Sequence, residues 1–338
     1  MTIISNITNL NQISGLIEQL PEFDQAAADA ATERQNSLTK PPGALGRLEE
    51  LAIFMAGWQK AAKPQINKAH ALVFAGNHGI CAQGVNPFPQ EVTAQMVANF
   101  EHGGAAINQL CQANGAELSV IALELDRPTA DFTQEPAMSA EDTLAAMKQG
   151  AEAVDQDADV LILGEMGIGN STVAAAIAAA SFGGDVADWV GRGTGSDDEG
   201  VQRKVAAITA GLARAGDMKA MDILAQLGGR EQAAICGAVI AARGYGIPVI
   251  LDGFICTASV APLQKAVPEL LDHCLVGHQS VEPGHRKLLD AFGKKAILDF
   301  DMRLGEGSGA ALALGVLRSA LACHNGMATF AEAQVSEA

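Results

Sequence analysis

The chain has 338 residues, of which 49% are hydrophobic and 18% charged, and its formal net charge is −17. This composition suits one large buried core with a smaller satellite unit and argues against intrinsic disorder. The negative charge would repel a phosphate backbone, which argues against nucleic acid as a partner but permits a local site for a phosphorylated small molecule.

Residues 1–68 are predicted to be helical and to lack strands. The segment begins without the basic stretch and apolar run of a signal peptide, and no stretch of the chain approaches the roughly 20 apolar residues of a membrane span. Leu48, Leu51 and Met55 recur at helical spacing after Pro41-Pro42-Gly43. Six scattered cysteines without C-x-x-C spacing indicate reduced core thiols. We therefore expect a cytoplasmic protein that binds no membrane.

From residue 69 onward, short apolar runs alternate with glycine-rich turns and helix-like stretches. This alternation predicts an α/β fold with a parallel sheet and helices on both faces, because parallel strands need long crossover connections. Ligands of such sheets bind beyond the carboxyl ends of the strands. The acidic stretch 126–152 is predicted to be a loop followed by a surface helix. The predicted strands are Ala71–Ala75, Leu118–Leu123, Val160–Leu163, Pro248–Leu251, Cys274–Val276 and Ala296–Phe300.

A glycine-rich turn, Gly164–Thr172, is predicted to follow the third strand and to open a helix. Asn170 or Ser171 can cap that helix, and the unpaired N–H groups of the turn would face a ligand above it. An ordinary βα turn explains the spacing equally well. Glu165 favours a functional site, because a carboxylate among exposed amides adds little to packing.

A second glycine-rich loop, Gly191–Gly195, precedes a predicted helix at Val201–Ala215. Arg192 in the loop and Lys204 on the helix are candidates to bind a phosphate. The alternative is a solvated loop whose acidic residues favour the helix N-terminus. The residues alone favour this alternative.

Glu306 is flanked by Gly305 and Gly307, which leave its carboxylate accessible to a substrate. Such access is the first requirement of a general base. A helix-start carboxylate that interacts with the helix dipole is the other interpretation, but it does not require glycine on both sides. Glu306 is therefore a candidate general base, and on the residues alone the helix-start interpretation is nearly as good.

Several motifs in order along the chain resemble those of the nicotinate-nucleotide:dimethylbenzimidazole phosphoribosyltransferases of cobalamin lower-ligand assembly. Together they cover nearly the whole chain, and their order is more specific than any one motif. They are Lys40–Glu49, the Gly76 turn, Gly84-Val85 through Val92-Thr93, Gly164–Thr172, Leu251–Phe254 and Arg303–Ala310.

The resemblance implies a Rossmann-like domain at residues 69–302, a small helical domain built from residues 1–68 and 303–338, and a homodimer. It also implies transfer of ribose 5-phosphate from nicotinate mononucleotide to 5,6-dimethylbenzimidazole, which gives α-ribazole 5′-phosphate and nicotinate. The alternatives are another aromatic acceptor such as adenine, a noncatalytic nucleotide-binding protein, and simple glycosidic hydrolysis.

The resemblance also implies residue roles. Glu306, beside Gly305, matches the family's catalytic base, and Glu165 matches a second active-site glutamate. Gly167 and neighbouring groups such as Asn170 would lie near the nicotinate.

On the phosphate side of the implied site, Lys204 and Ser280 match family positions, and Gly193 belongs to the phosphate loop. Phe88 and Met96 fall in the acceptor pocket, where other relatives carry smaller or more polar residues. The preferred acceptor base is therefore left open.

The chemistry of this reaction agrees with a single base. The nicotinate of the donor is a cationic pyridinium that leaves as a neutral ring, so its departure needs no acid. The benzimidazole loses its N–H proton as its other nitrogen attacks C1′, so one carboxylate base is sufficient. Positive charge at C1′ would be stabilised by nearby carboxylates such as Glu165.

The sequence predicts no metal and no cofactor. Its seven histidines include no H-x-x-x-H or H-E-x-x-H arrangement. Asp299 and Asp301 are predicted on one face of the last strand, where two carboxylates can bind a cation. The Thr/Gly phosphate loop that accompanies paired acids in diphosphate-dependent phosphoribosyltransferases does not follow them.

Overall fold

A computed structural model describes residues 2–193 and 195–336 of the chain. Its strands are β1 (Ala69–Ala75), β2 (Ala116–Ala122), β3 (Val160–Met166), β4 (Val249–Leu251), β5 (Cys274–His278) and β6 (Ala296–Leu298). They form one sheet in the order β2-β1-β3-β4-β5-β6, and all neighbours pair in parallel. The predicted α/β class is confirmed.

Helices connect and cover these strands. Short 3-10 helices span Leu10–Gln19, Gly79–Gln83, Val186–Asp188 and Pro268–Leu271. The α-helices are α1 (Gln25–Ser37), α2 (Arg47–Gln59), α3 (Glu91–Glu101), α4 (Ala106–Asn114), α5 (Ala140–Glu152), α6 (Asn170–Phe182), α7 (Asp198–Ala215), α8 (Asp222–Leu227), α9 (Arg230–Tyr245), α10 (Phe254–Ser259), α11 (Ala261–Ala266), α12 (Pro283–Phe292), α13 (Ser308–Gly326) and α14 (Phe330–Ala333). In the described part of the chain, no helix combines the length and apolar character of a membrane span.

Alternate residues of the central strands enter two different cores, as the two-residue period of a strand requires. Leu72 and Phe74 of β1 belong to the core beneath α5, α6 and α9. Ala71 and Val73 belong to the core on the opposite face, beneath α2, α4 and α13. The sheet is therefore covered by helices on both faces, as the sequence predicted.

Strand β3 is longer than predicted. Gly164, Glu165 and Met166 pair with Val73, Phe74 and Ala75 of β1, so the expected turn at Gly164 is wrong. The ladder continues because β1 itself extends to Ala75. Glu165 is therefore held on a central strand of the sheet.

Strand β6 is shorter than predicted. It ends at Leu298, opposite His278, where its partner β5 also ends. Asp301 has a left-handed backbone with φ 54°, which a strand does not contain. The prediction that Asp299 and Asp301 share one strand face is therefore wrong. Because β5 ends at His278, β6 has no further strand residues to pair with beyond Leu298.

The two terminal segments contact each other. The guanidinium of Arg34 donates to the carbonyls of His324, Asn325 and Met327 at 2.8, 3.1 and 3.1 Å. Helix α13 packs on α2 and also on the sheet. The division into a Rossmann-like domain of residues 69–302 and a helical domain of residues 1–68 and 303–338 stays a prediction. Residues 1, 337 and 338 of the predicted helical domain lie outside the described part of the chain.

Candidate active site

A cavity of about 330 Å³ opens at the carboxyl ends of β3, β4 and β5, which is the usual ligand position in an open parallel sheet. Apart from Arg192, the structure brings the predicted site residues to its wall. These residues are Phe88, Met96, Glu165, Gly167, Asn170, Gly193, Lys204, Ser280, Gly305 and Glu306.

Glu306 lies in a loop immediately before α13. Its side chain is buried, and Oε2 has no hydrogen-bond partner among the described residues. Burial and the neighbouring charge of Asp252 raise the pKa of Glu306, against an opposing backbone hydrogen bond from Ile107. The result is a carboxylate with a free oxygen and an increased affinity for protons.

Glu165 is buried at the end of β3, and the side-chain amide of Asn170 donates to its carboxylate. Burial, Asp252 and Glu231 raise the pKa of Glu165 well above its usual value, against the hydrogen bond from Asn170. A Cβ at Gly305 would lie 2.6 Å from Glu165 Oε1, so glycine permits the Glu306 loop to approach Glu165.

The polar end of the cavity contains a buried lysine. Lys204 Nζ donates to Ser171 Oγ at 3.3 Å and to the Gly191 carbonyl at 3.2 Å. Burial lowers the pKa of Lys204, against the charge of Glu282. The N–H of Gly193 donates to Glu282 Oε1 at 2.9 Å. Two cations, Lys204 and Arg303, and several polar groups therefore line this part of the cavity, together with the Glu282 carboxylate.

Arg192 does not share this position with Lys204. Its exposed guanidinium donates to Asp198 at the start of α7. The neighbouring Thr194 of the predicted phosphate loop lies outside the described residues.

Part of the cavity wall is apolar and includes Phe88, Met96 and Ile168. Helix α3 is connected to this wall because Thr93 Oγ1 accepts the Ile168 N–H at 3.2 Å. A Cβ at Gly167 would lie 2.5 Å from the Gly76 carbonyl, so this turn needs glycine. The wall suits a flat aromatic ring.

Sequence reasoning did not single out Asp252, His278 and Glu282 as site residues, although all three line the cavity. An acid directly before a glycine at a predicted strand end was a usable signal for Asp252. Glu282 gave no signal, because acids near helix starts are common. In the described ranges, no group of three or more His, Cys, Asp or Glu side chains is arranged to bind a metal.

A cavity at the carboxyl edge of an open parallel sheet, lined by a buried lysine, apolar side chains and buried carboxylates, is typical of an α/β enzyme that acts on a small molecule. A family model described as phosphoribosyltransferase matches residues 20–335. The chain belongs to the nicotinate-nucleotide–dimethylbenzimidazole phosphoribosyltransferase family, and it is an enzyme of this class.

Two relatives and one solved structure carry that family name. The relative from Rhodobacter capsulatus is 63% identical over 330 residues, which cover 98% of this chain and 99% of the relative. The relative from Ruegeria pomeroyi is 57% identical over 331 residues and covers 98% of both chains. A crystal structure from Thermus thermophilus has a TM-score of 0.86 at 40% identity and covers 93% of this chain and 100% of that one.

Proposed function

We propose that this enzyme transfers ribose 5-phosphate from nicotinate mononucleotide to 5,6-dimethylbenzimidazole, forming α-ribazole 5′-phosphate and nicotinate. The observation that carries the proposal is the buried Glu306 carboxylate, whose Oε2 has no partner among the described residues and which lines the cavity together with Lys204 and the apolar wall. The names of the relatives support the same donor and acceptor.

In the proposed mechanism, Glu306 takes the N–H proton of the benzimidazole while its other nitrogen attacks C1′. The nicotinate leaves as a neutral ring, so no acid is needed at that side. Attack opposite the leaving group converts the β donor into an α product. The raised pKa of Glu306 supports this role, because a stronger base removes the proton more readily.

Glu165 has a different proposed role from Glu306. Burial and neighbouring acids raise the pKa of Glu165 well above its usual value, which favours the protonated acid in the free enzyme. Two nearby carboxyl groups with different surroundings can have separate tasks. The cationic ring of the donor would favour ionised Glu165, which then stabilises positive charge near C1′.

In the proposed complex, the donor binds beside the polar residues of the cavity and the acceptor binds beside its apolar wall. The donor phosphate binds at Lys204, Ser280 and the Gly193 loop, and Gly167 and Asn170 lie beside the nicotinate. The acceptor packs against the apolar wall of Phe88 and Met96. We further propose that two copies of the chain form a homodimer.

The proposal is tested by chromatography and mass analysis of products from nicotinate mononucleotide with dimethylbenzimidazole, benzimidazole or adenine. We expect α-ribazole 5′-phosphate from dimethylbenzimidazole.

Glu306→Gln should lower kcat by about 100-fold or more while donor affinity stays within about threefold, because the amide cannot accept the proton. Glu135→Gln, an exposed acid outside this cavity, is the control.

Three outcomes would contradict the proposal. Wild-type turnover in Glu306→Gln would remove this residue from the mechanism. Nicotinate release without any acceptor would indicate a hydrolase, and absence of release with every base would indicate a noncatalytic binding protein. Faster transfer to adenine than to dimethylbenzimidazole would replace the proposed acceptor.

A further inference from the structure

Asp252 connects the end of β4 to the loop that carries Glu306. It directly follows β4 and is 1% exposed. Its Oδ1 accepts the Ala310 N–H at 2.9 Å, and its Oδ2 accepts the Gly307 N–H at 3.2 Å. One carboxylate therefore binds the start of α13 to the sheet, next to Glu306.

The loop needs such support because its backbone is unusual. Gly305, Glu306 and Gly307 are all left-handed, with φ of 89°, 64° and 89°. For the non-glycine Glu306 this conformation is unfavourable, so surrounding contacts must hold it. On one side the loop lies against β3, where a Cβ at Gly164 would be 2.5 Å from the Glu306 carbonyl oxygen. Asp252 supplies two polar contacts, and the Ser308 hydroxyl adds a third by donating to the Gly305 carbonyl at 2.7 Å.

We infer that Asp252 is a positioning residue for the transfer reaction: it orients Glu306 through the N–H groups of Gly307 and Ala310, and it places a second buried negative charge beside that carboxylate. This inference rests on the proposed role of Glu306 as the base. It assigns to Asp252 no contact with the reacting atoms.

The surrounding charges agree with this role. Two acids contribute charge near Glu306: Asp252, which follows β4, and Glu165, near the end of β3. Arg303 lies in the same loop as Glu306 and also lines the cavity. Asp252 faces His278 of β5, with 3.6 Å between Oδ1 and Nε2.

Two opposing influences act on the charge of Asp252, and burial is the larger one. Burial raises the pKa of Asp252, while His278 and the N–H groups at the start of α13 lower it. A residual negative charge at Asp252 makes Glu306 a stronger base, because like charges disfavour ionisation of each other.

The test is Asp252→Asn, which keeps the size of the side chain but removes its charge and one acceptor oxygen. We expect kcat at pH 8 to fall about 10- to 100-fold, the loss typical of a misplaced catalytic group. The KM for nicotinate mononucleotide should stay within about threefold, because Asp252 is not assigned to the donor. The acid limb of the kcat profile should move to lower pH, since loss of the neighbouring charge lowers the pKa of Glu306.

Asp159→Asn is the matched control. Asp159 Oδ2 also accepts two backbone N–H groups, from Asn67 at 2.6 Å and Lys68 at 2.8 Å, but it precedes β3 at the opposite edge of the sheet. We expect this variant to lose thermal stability and to keep the wild-type kcat and pH profile. If Asp252→Asn is unfolded at 25 °C, Asp252→Ser replaces it with the same expected kinetics.

Glu306→Gln, measured in parallel, separates the hypothesis that Glu306 is the base from the hypothesis that Asp252 positions it. If Glu306→Gln is inactive and a folded Asp252 variant keeps the wild-type kcat and acid limb, the inference about Asp252 is overturned and the proposed base stands. A change in KM alone would also overturn the inference. If Glu306→Gln is active, the proposed mechanism itself fails.

Discussion

At the scale of single residues, Glu165 and Glu306 are the same type of residue but have different surroundings in the cavity. Glu165 is on a central strand and hydrogen-bonds Asn170, whereas Glu306 is on a loop with a free oxygen. Burial raises the pKa of both carboxyls. The sequence identified both residues, but only the fold shows that one carboxylate has a side-chain hydrogen-bond partner and the other has a free oxygen.

Lys204 gives a prediction about donor affinity. Lys204→Met should raise the KM for nicotinate mononucleotide about 10- to 100-fold, because a charge-assisted contact with the phosphate is lost. The protein should remain folded, since methionine suits a buried site and burial already lowers the pKa of Lys204. Steady-state kinetics with the donor varied would measure the effect.

Lys265→Met is the charge-matched control for Lys204. Lys265 Nζ donates to the Ala180 carbonyl on the far end of α6 and lies outside the cavity. An unchanged donor KM in Lys204→Met would remove this lysine from the phosphate site.

At the scale of helices and strands, the crossing of α5 and α9 is a feature that the sequence did not reveal. The stretch before α5 was predicted to lead into a surface helix, and α5 is found, but its inner side packs closely on α9. A Cβ at Gly150 would lie 1.9 Å from the Ala234 carbonyl, and one at Gly237 would lie 1.8 Å from the Met147 carbonyl. Glycine permits this close backbone contact.

Gly237→Ala should therefore destabilise the protein by about 1–3 kcal/mol, although alanine normally favours a helix. Gly244→Ala in the same helix is the control, because its nearest neighbour would be 3.6 Å away, at Ile3. The control should be neutral or up to about 1 kcal/mol more stable. Urea unfolding would measure both free energies, and equal values for the two variants would contradict the proposed crossing.

At the scale of the whole molecule, apolar side chains near the cavity remain exposed in a single chain. Phe88 and Leu304 line the cavity and are 46% and 48% exposed. Phe300, on the loop before Leu304, is 64% exposed. Exposed apolar groups of this kind are typical of a surface that another molecule covers.

We expect a homodimer, with a sedimentation-equilibrium mass of twice that of the chain. Phe300→Lys should shift the equilibrium towards the monomer by placing a charge on this surface. Tyr245→Lys, at the amino edge of the sheet, should not. A wild-type mass equal to one chain would contradict the dimer.

Much of the fold and of the candidate site could be predicted from the sequence. Apolar runs separated by glycine turns predicted six strands, and the parallel sheet then placed the functional residues at one edge, because carboxyl ends of parallel strands lie together. Gly305 and Gly307 indicated an accessible Glu306, and the family resemblance indicated Glu165 and Lys204. These features depend on local sequence or on motif order.

The tertiary structure decided the rest. It extended β3 to Met166, ended β6 at Leu298 and brought Asp252 to the start of α13, each through a contact between distant parts of the chain. Strand length depends on the partner strand, and the pKa of a buried acid depends on the burial and charges that other segments supply. By itself the sequence indicated Glu165, Lys204 and Glu306 as residues of one site. Packing added Asp252, His278 and Glu282 to the cavity and decided how deeply each side chain is buried, because burial depends on contacts with distant segments.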